Sequence, residues 1–164
     1  MKIYLASDHA GFELKNTLIE FLRADQKYDP KDCGAYAFDS KDDYPSIIAT
    51  AGKKLSEDVA ASRDSRAIVI GASGQGEAMV MNRFRGVRCG LYYGPASKKQ
   101  TDMGGKDLDV LASMREHNDT NAISLGGRFL TADEAKEAVK QWLATAFSDD
   151  ERHFRRVHQI DEVT

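Results

Sequence analysis

The stretch Ala67-Ile-Val-Ile-Gly-Ala-Ser-Gly-Gln-Gly-Glu-Ala-Met-Val-Met-Asn-Arg-Phe-Arg-Gly86 reads as strand, turn and helix in direct succession. Residues 67–70 form a short apolar run of the kind buried in a parallel sheet covered on both faces. Gly71, Gly74 and Gly76 then allow a sharp turn, because a residue without Cβ adopts positive φ and lets a ligand come close. Residues 77–83 favour helix, so N–H groups at the helix start face whatever lies over the turn. An anion, or an oxygen that becomes anionic during a reaction, suits that position. Glu77 puts a carboxylate directly after this pocket. It either complements the positive helix start or acts as a general base, taking a proton from carbon while the donors around it stabilise an enediolate oxygen. Ser73 is placed to hold or relay a hydroxyl proton.

Working upstream, residues 2–6 read as a first strand and Ser7-Asp-His-Ala-Gly11 as the turn after it. In open α/β sheets ligands collect at the carboxyl ends of strands, which puts Asp8 and His9 at the mouth of the sheet. Asp8 also suits the cap of a helix beginning near Phe12. Leu14, Leu18, Phe21 and Leu22 give that helix an apolar face. Residues 24–44 read as loop around one short strand, with the acidic residues 39–43 taken as a solvated loop rather than a metal site. Pro45 opens a second helix whose buried stripe is Ile48, Ala51, Leu55 and Val59.

Downstream, Gly86 is expected to stop the third helix and residues 88–92 to form a strand carrying Cys89. Residues 94–109 are polar and punctuated by Gly-Pro and Gly-Gly, so they read as a mobile loop over the site, in the manner of a lid. A short helix over residues 108–115 delivers Glu116-His-Asn-Asp119, and residues 122–125 make a last strand. Thr131 and Glu134 form a capping box ahead of a helix with Ala135, Val139, Trp142 and Leu143 on its apolar face. In the tail, about residues 150–164, Arg152 and Arg156 share a helical face at i and i+4, a spacing suited to phosphate oxygens or to a merely solvated surface.

Five strands alternating with helices predict a doubly wound, Rossmann-like α/β fold, a five-stranded parallel sheet with helices on both faces. The 164 residues suit a single domain, residues 1–164, and 41% hydrophobic with 30% charged residues is ordinary for a globular protein. A net charge of −3 argues against nonspecific nucleic-acid binding. No signal-like leader or membrane-length apolar run is seen, so a cytoplasmic protein without membrane contact is expected. Cys33 and Cys89 are expected to be reduced and mostly buried.

Several common motifs fail at the central turn. A nucleophile elbow needs glycine where Gln75 stands, which disfavours a serine hydrolase. The dinucleotide fingerprint needs glycine or alanine at Met79, and no Gly-Lys-Ser/Thr follows for a nucleotide P-loop. His153 and His158 are five apart and do not share a helical face, so no metal and no cofactor are expected.

The set Asp8-His-Ala-Gly-Phe-Glu-Leu-Lys15, Asp42-Asp-Tyr-Pro45, Gly71-Ala-Ser-Gly-Gln-Gly-Glu77, Asn82-Arg-Phe-Arg-Gly86, His117-Asn118, Gly126-Gly-Arg128 and Arg152-His-Phe-Arg-Arg156 resembles type B ribose-5-phosphate isomerase nearly end to end. Relatives of that family act on galactose 6-phosphate and allose 6-phosphate. The resemblance implies a metal-free aldose–ketose isomerase of ribose 5-phosphate and ribulose 5-phosphate, a homodimer or tetramer whose sites draw on two subunits. It implies that His117 opens the furanose ring with Asp8, Asn118 holds hydroxyls, and Arg152, Arg156, His9 and Arg128 grip the phosphate. Gly71, Ala72, Gly74, Gln75 and Gly76 would stabilise the enediolate, Ser73 would move a proton between oxygens, and Glu77 would carry one between carbons.

Two departures stand out. Many members of the family carry a catalytic cysteine where this chain has Gly71, while another branch has glycine and relies on the glutamate, as here. Residues 94–109 are also longer than the usual pattern, which leaves a six-carbon sugar phosphate as the alternative substrate. A sugar-phosphate-binding module without chemistry is the competing class.

Overall fold

The computed structural model describes residues 1–102 and 105–163. The strands are β1 (Lys2–Ser7), β2 (Asp29–Asp32), β3 (Ser65–Gly71), β4 (Cys89–Tyr92) and β5 (Ala122–Gly126). The helices are α1 (Phe12–Arg23), α2 (Tyr44–Ala60), α3 (Gln75–Met81), α4 (Val110–Asn118), α5 (Ala132–Ala144) and α6 (Glu151–Glu162). All strand pairs are parallel and the order is β2-β1-β3-β5-β4, so the central turn follows the middle strand.

Alternation along the strands builds two cores, since successive side chains leave opposite faces. Ile3, Leu5, Ile68, Ile70, Ile123 and Leu125 enter one core, against α1, α4 and α5. Tyr4, Ala6, Ala67, Val69 and Ala122 enter the other, against α2 and α3. This is the expected doubly wound arrangement. Trp142 is fully buried, and its indole N–H donates to Thr120 Oγ1 at 2.9 Å. Pro30 lies in β2, an edge strand, where its missing N–H is tolerated.

Boundaries moved in three places. α3 ends at Met81, before the expected Arg83, and Gly86 (φ +72°) turns the chain after it rather than capping it. α4 starts at Val110, where Asp109 caps it by accepting from the Ala112 N–H at 2.8 Å, and runs on to Asn118. His117 and Asn118 therefore belong to its last turn. Thr101 and Asp107 pair through an antiparallel bridge, and the Lys106 ammonium holds both Glu116 oxygens at 2.8 and 2.9 Å. Met103 and Gly104 of the expected lid, and Thr164 of the tail, lie outside the described residues. No helix among the described residues is long and apolar enough to cross a membrane.

Candidate active site

The glycine turn is shaped by what its missing Cβ atoms leave room for. A Cβ on Gly71 would overlap the Glu77 carboxylate, and one on Gly76 would fall 2.5 Å from the Tyr44 hydroxyl. Gly74, at φ +75°, holds the left-handed conformation that precedes α3. The turn is fastened to β5: the buried Ser124 hydroxyl donates to the Gly74 carbonyl at 2.6 Å. The Gly127 and Arg128 N–H groups donate to the Gly71 and Ala72 carbonyls at 2.8 and 3.1 Å. This brings Arg128, whose side chain is exposed, to the same mouth of the sheet.

Glu77 is only 5% exposed, in the first turn of α3. Burial pushes its carboxyl above the usual range and the nearby Asp8 charge adds to this, while its own backbone N–H works the other way. Ser73 Oγ lies 3.4 Å from the Gln75 N–H. Asp8 caps a short 3₁₀ turn, accepting from the Ala10 and Gly11 N–H groups at 3.0 and 3.3 Å, so its capping role and its place at the mouth coexist.

His9 is held by Asp42, a member of the acidic stretch read as a solvated loop, which here turns inward because its carboxylate pairs with His9. Asp42 Oδ1 takes the His9 backbone N–H at 3.1 Å and lies 2.6 Å from its Nδ1. The hydrogen bond to Asp42 raises the imidazole pKa; partial desolvation lowers it, Asp8 and the Asp42 charge raise it, and Arg128 opposes them. Asp8, His9 and Asp42 present ligand-type atoms within 4.8 Å of one another, a spacing that a metal ion could bridge. Asp8 Oδ1 and Asp42 Oδ1 are, however, already engaged by backbone N–H groups. Tyr44 is the other unassigned neighbour. Both belong to the Asp42-Asp-Tyr-Pro45 motif, whose tertiary contacts were not legible in the sequence.

The remaining expected residues gather elsewhere. His117 packs against His153, with ring centroids 4.5 Å apart and the rings tilted by 41°. His153 is buried on α6 beside the exposed Arg152 and meets Ser148 Oγ at 2.8 Å. Burial, His117 and Arg152 hold its pKa down. Arg152 and Arg156 follow one another on the helix as expected. Asn118 shares a cavity of about 520 Å³ with Asn82, Arg88, Cys89 and Gly90, at the amino-terminal edge of the sheet. Glu77, Asp8, His9 and Arg128 lie at the carboxyl-terminal edge. β5 runs between the two edges, roughly 13 Å at about 3.3 Å per residue. Within one chain the two groups of expected site residues therefore lie at opposite edges of the sheet and do not face each other.

Neither cysteine stands at position 71, which is Gly71. Burial raises the thiol pKa of both Cys33 and Cys89.

The sequence profile described as Ribose/Galactose Isomerase matches residues 3–160. A ribose-5-phosphate isomerase B from Mycolicibacterium paratuberculosis is 36% identical over 162 residues, covering 99% of this chain and 91% of the relative. The crystal structure of ribose-5-phosphate isomerase B from Mycoplasma genitalium with bound ribulose-5-phosphate superposes with a TM-score of 0.82 at 28% identity, covering 99% of this chain and 95% of that one. The Clostridium thermocellum ribose-5-phosphate isomerase B gives a TM-score of 0.77 at 32% identity, covering 99% and 97%. With turn, sheet order and end-to-end similarity in agreement, the chain belongs to the ribose/galactose isomerase family.

Proposed function

We propose that this protein interconverts ribose 5-phosphate and ribulose 5-phosphate, as a homodimer in which each site joins the Glu77 edge of one chain to the His117 edge of the other. The observation that carries the reading is Glu77, a buried carboxylate seated against Gly71 inside a turn rich in backbone N–H donors. The relative with bound ribulose-5-phosphate supports the choice of substrate.

The steps balance without a cofactor. His117, with Asp8, moves the proton that opens the furanose ring. Glu77 takes the proton from C2 of the open aldose; that electron pair forms the C1–C2 double bond and the aldehyde oxygen becomes the enediolate anion. The N–H groups at residues 71–76 stabilise that charge. Ser73 passes the hydroxyl proton from O2 to O1, and Glu77 returns its own proton to C1, leaving a ketone at C2. The raised pKa of Glu77 suits this exchange, since a base works best with a pKa nearer the operating pH. Arg152, Arg156, His9 and Arg128 hold the phosphate, and Asn118 a hydroxyl, so binding far from the reacting carbons orients them.

The test is to incubate purified protein with ribose 5-phosphate, allose 6-phosphate and galactose 6-phosphate in the presence of a chelator and to follow ketose formation. Turnover of ribose 5-phosphate is expected. Turnover only of a hexose phosphate would move the substrate assignment to six carbons, and ligand-induced thermal stabilisation without turnover of any of them would make the protein a binding module.

A further inference from the structure

We propose that Asp42 is a positioning residue for the phosphate grip, holding His9 as a cation whose remaining ring N–H, at Nε2, meets the substrate phosphate. The inference rests on the isomerase reading above, in which His9 touches the phosphate.

One carboxylate oxygen, Asp42 Oδ1, takes both the backbone N–H of His9 at 3.1 Å and its Nδ1 at 2.6 Å. The double contact fixes where the residue sits and how its ring turns. With Nδ1–H committed to Asp42, Nε2 is the one ring nitrogen left for a ligand. In a neutral ring that atom would be a lone pair, which repels phosphate oxygen. Only the imidazolium makes it a donor, so the charge state decides whether His9 binds or opposes the substrate.

Asp42 favours the imidazolium because it has little else to pair with. Its side chain is 11% exposed, and its second oxygen, Oδ2, is buried and takes no hydrogen bond among the described residues. His9 is the one cationic partner within 4.0 Å of Asp42 among the described residues. A half-buried carboxylate without a counter-charge is costly, so the pair is retained as an ion pair. The other groups facing His9 are the Asp8 carboxylate, 4.0 Å from Nδ1, which favours the cation, and Arg128, which opposes it. The Phe38 ring stands edge-on to the His9 ring, with centroids 6.4 Å apart.

Two substitutions separate geometry from charge. Asp42→Ala removes both hydrogen bonds. Asp42→Asn keeps an oxygen that accepts from both N–H groups but removes the charge. With ribose 5-phosphate, Asp42→Ala should raise KM by about 10- to 100-fold, the loss expected for one hydrogen bond to a charged group, with kcat little changed. Asp42→Asn should match wild type at about pH 5.5, where an ordinary imidazole is charged, and converge on Asp42→Ala by about pH 8. Nitrogen NMR of His9 should show both ring nitrogens protonated at neutral pH in the wild type and not in Asp42→Asn. Unchanged KM in Asp42→Ala, equal pH-independent losses in the two variants, or a neutral His9 in the wild type would each overturn the proposal. His9→Ala, assayed in parallel, tests the parent reading alone: an unchanged KM there would remove His9 from the phosphate grip, while the NMR comparison would still report what Asp42 does to the ring.

Discussion

The Glu77 carboxylate occupies the space that a side chain at position 71 would need. Gly71→Ala should therefore displace the base rather than merely stiffen the turn. An overlap of this kind costs about 1–3 kcal/mol, and kcat should fall with KM less affected in steady-state assays. Glu77→Gln should lower kcat by about 10²- to 10⁴-fold while sugar-phosphate binding, read by calorimetry, persists. The same variant should melt at higher temperature at neutral pH. The folded-state pKa of Glu77 is raised, so charging it costs stability above that pKa and costs nothing below the ordinary carboxylate range. The gain should accordingly vanish on acidification. Glu77 and the three glycines could be read from spacing, because strand, turn and carboxylate are contiguous. Asp42 and Tyr44 could not, because their meaning lies in contacts with His9 and Gly76 more than thirty residues away in either direction.

Among the elements, β1, α2 and β3 are fastened at the amino-terminal edge by one carboxylate. Asp58 on α2 accepts from the Tyr4 hydroxyl at 2.8 Å, Ser65 Oγ at 2.5 Å and Arg63 Nε at 2.6 Å. Burial works against the charged form, yet these hydrogen bonds outweigh it and hold the carboxyl down to about 2. Its folded pKa is depressed, so its contribution to stability is present above the ordinary carboxylate range and is lost as pH falls toward about 2. Asp58→Asn should cost about 2–3 kcal/mol at neutral pH, measured by urea unfolding, and the difference from wild type should shrink in acid. Helical periodicity made α1, α2 and α5 plain in the sequence, and the capping box of α5 is present as expected. The ends of α3 and α4 were less legible. Gly86 looked like a stop for α3, but the helix had already ended at Met81, and the cap of α4 was Asp109, within a segment that looked like loop.

For the whole molecule, the separation of the two groups of expected site residues decides what a single chain can do. In an all-parallel sheet a residue that follows a strand reaches the carboxyl-terminal edge and one that precedes a strand reaches the amino-terminal edge. Glu77 and His117 lie at opposite edges, because α3 leaves the carboxyl-terminal edge while α4 ends at the amino-terminal one. Mixing inactive Glu77→Gln and His117→Ala proteins under subunit exchange should restore activity. In a twofold dimer, random pairing leaves about one site in four with both groups intact. No recovery, with exchange verified by mass spectrometry, would mean that the sites are not shared. The glycine at position 71 carries a further consequence for life under oxidising stress. A catalyst of this ancestry with glycine at position 71 offers peroxide and alkylating agents no thiol beside Glu77, and burial pushes the Cys89 thiol in the Asn118 cavity up, away from its reactive thiolate form. Iodoacetamide and moderate peroxide should leave its turnover intact, so sugar flux through this step would continue where a thiolate-dependent counterpart falls silent.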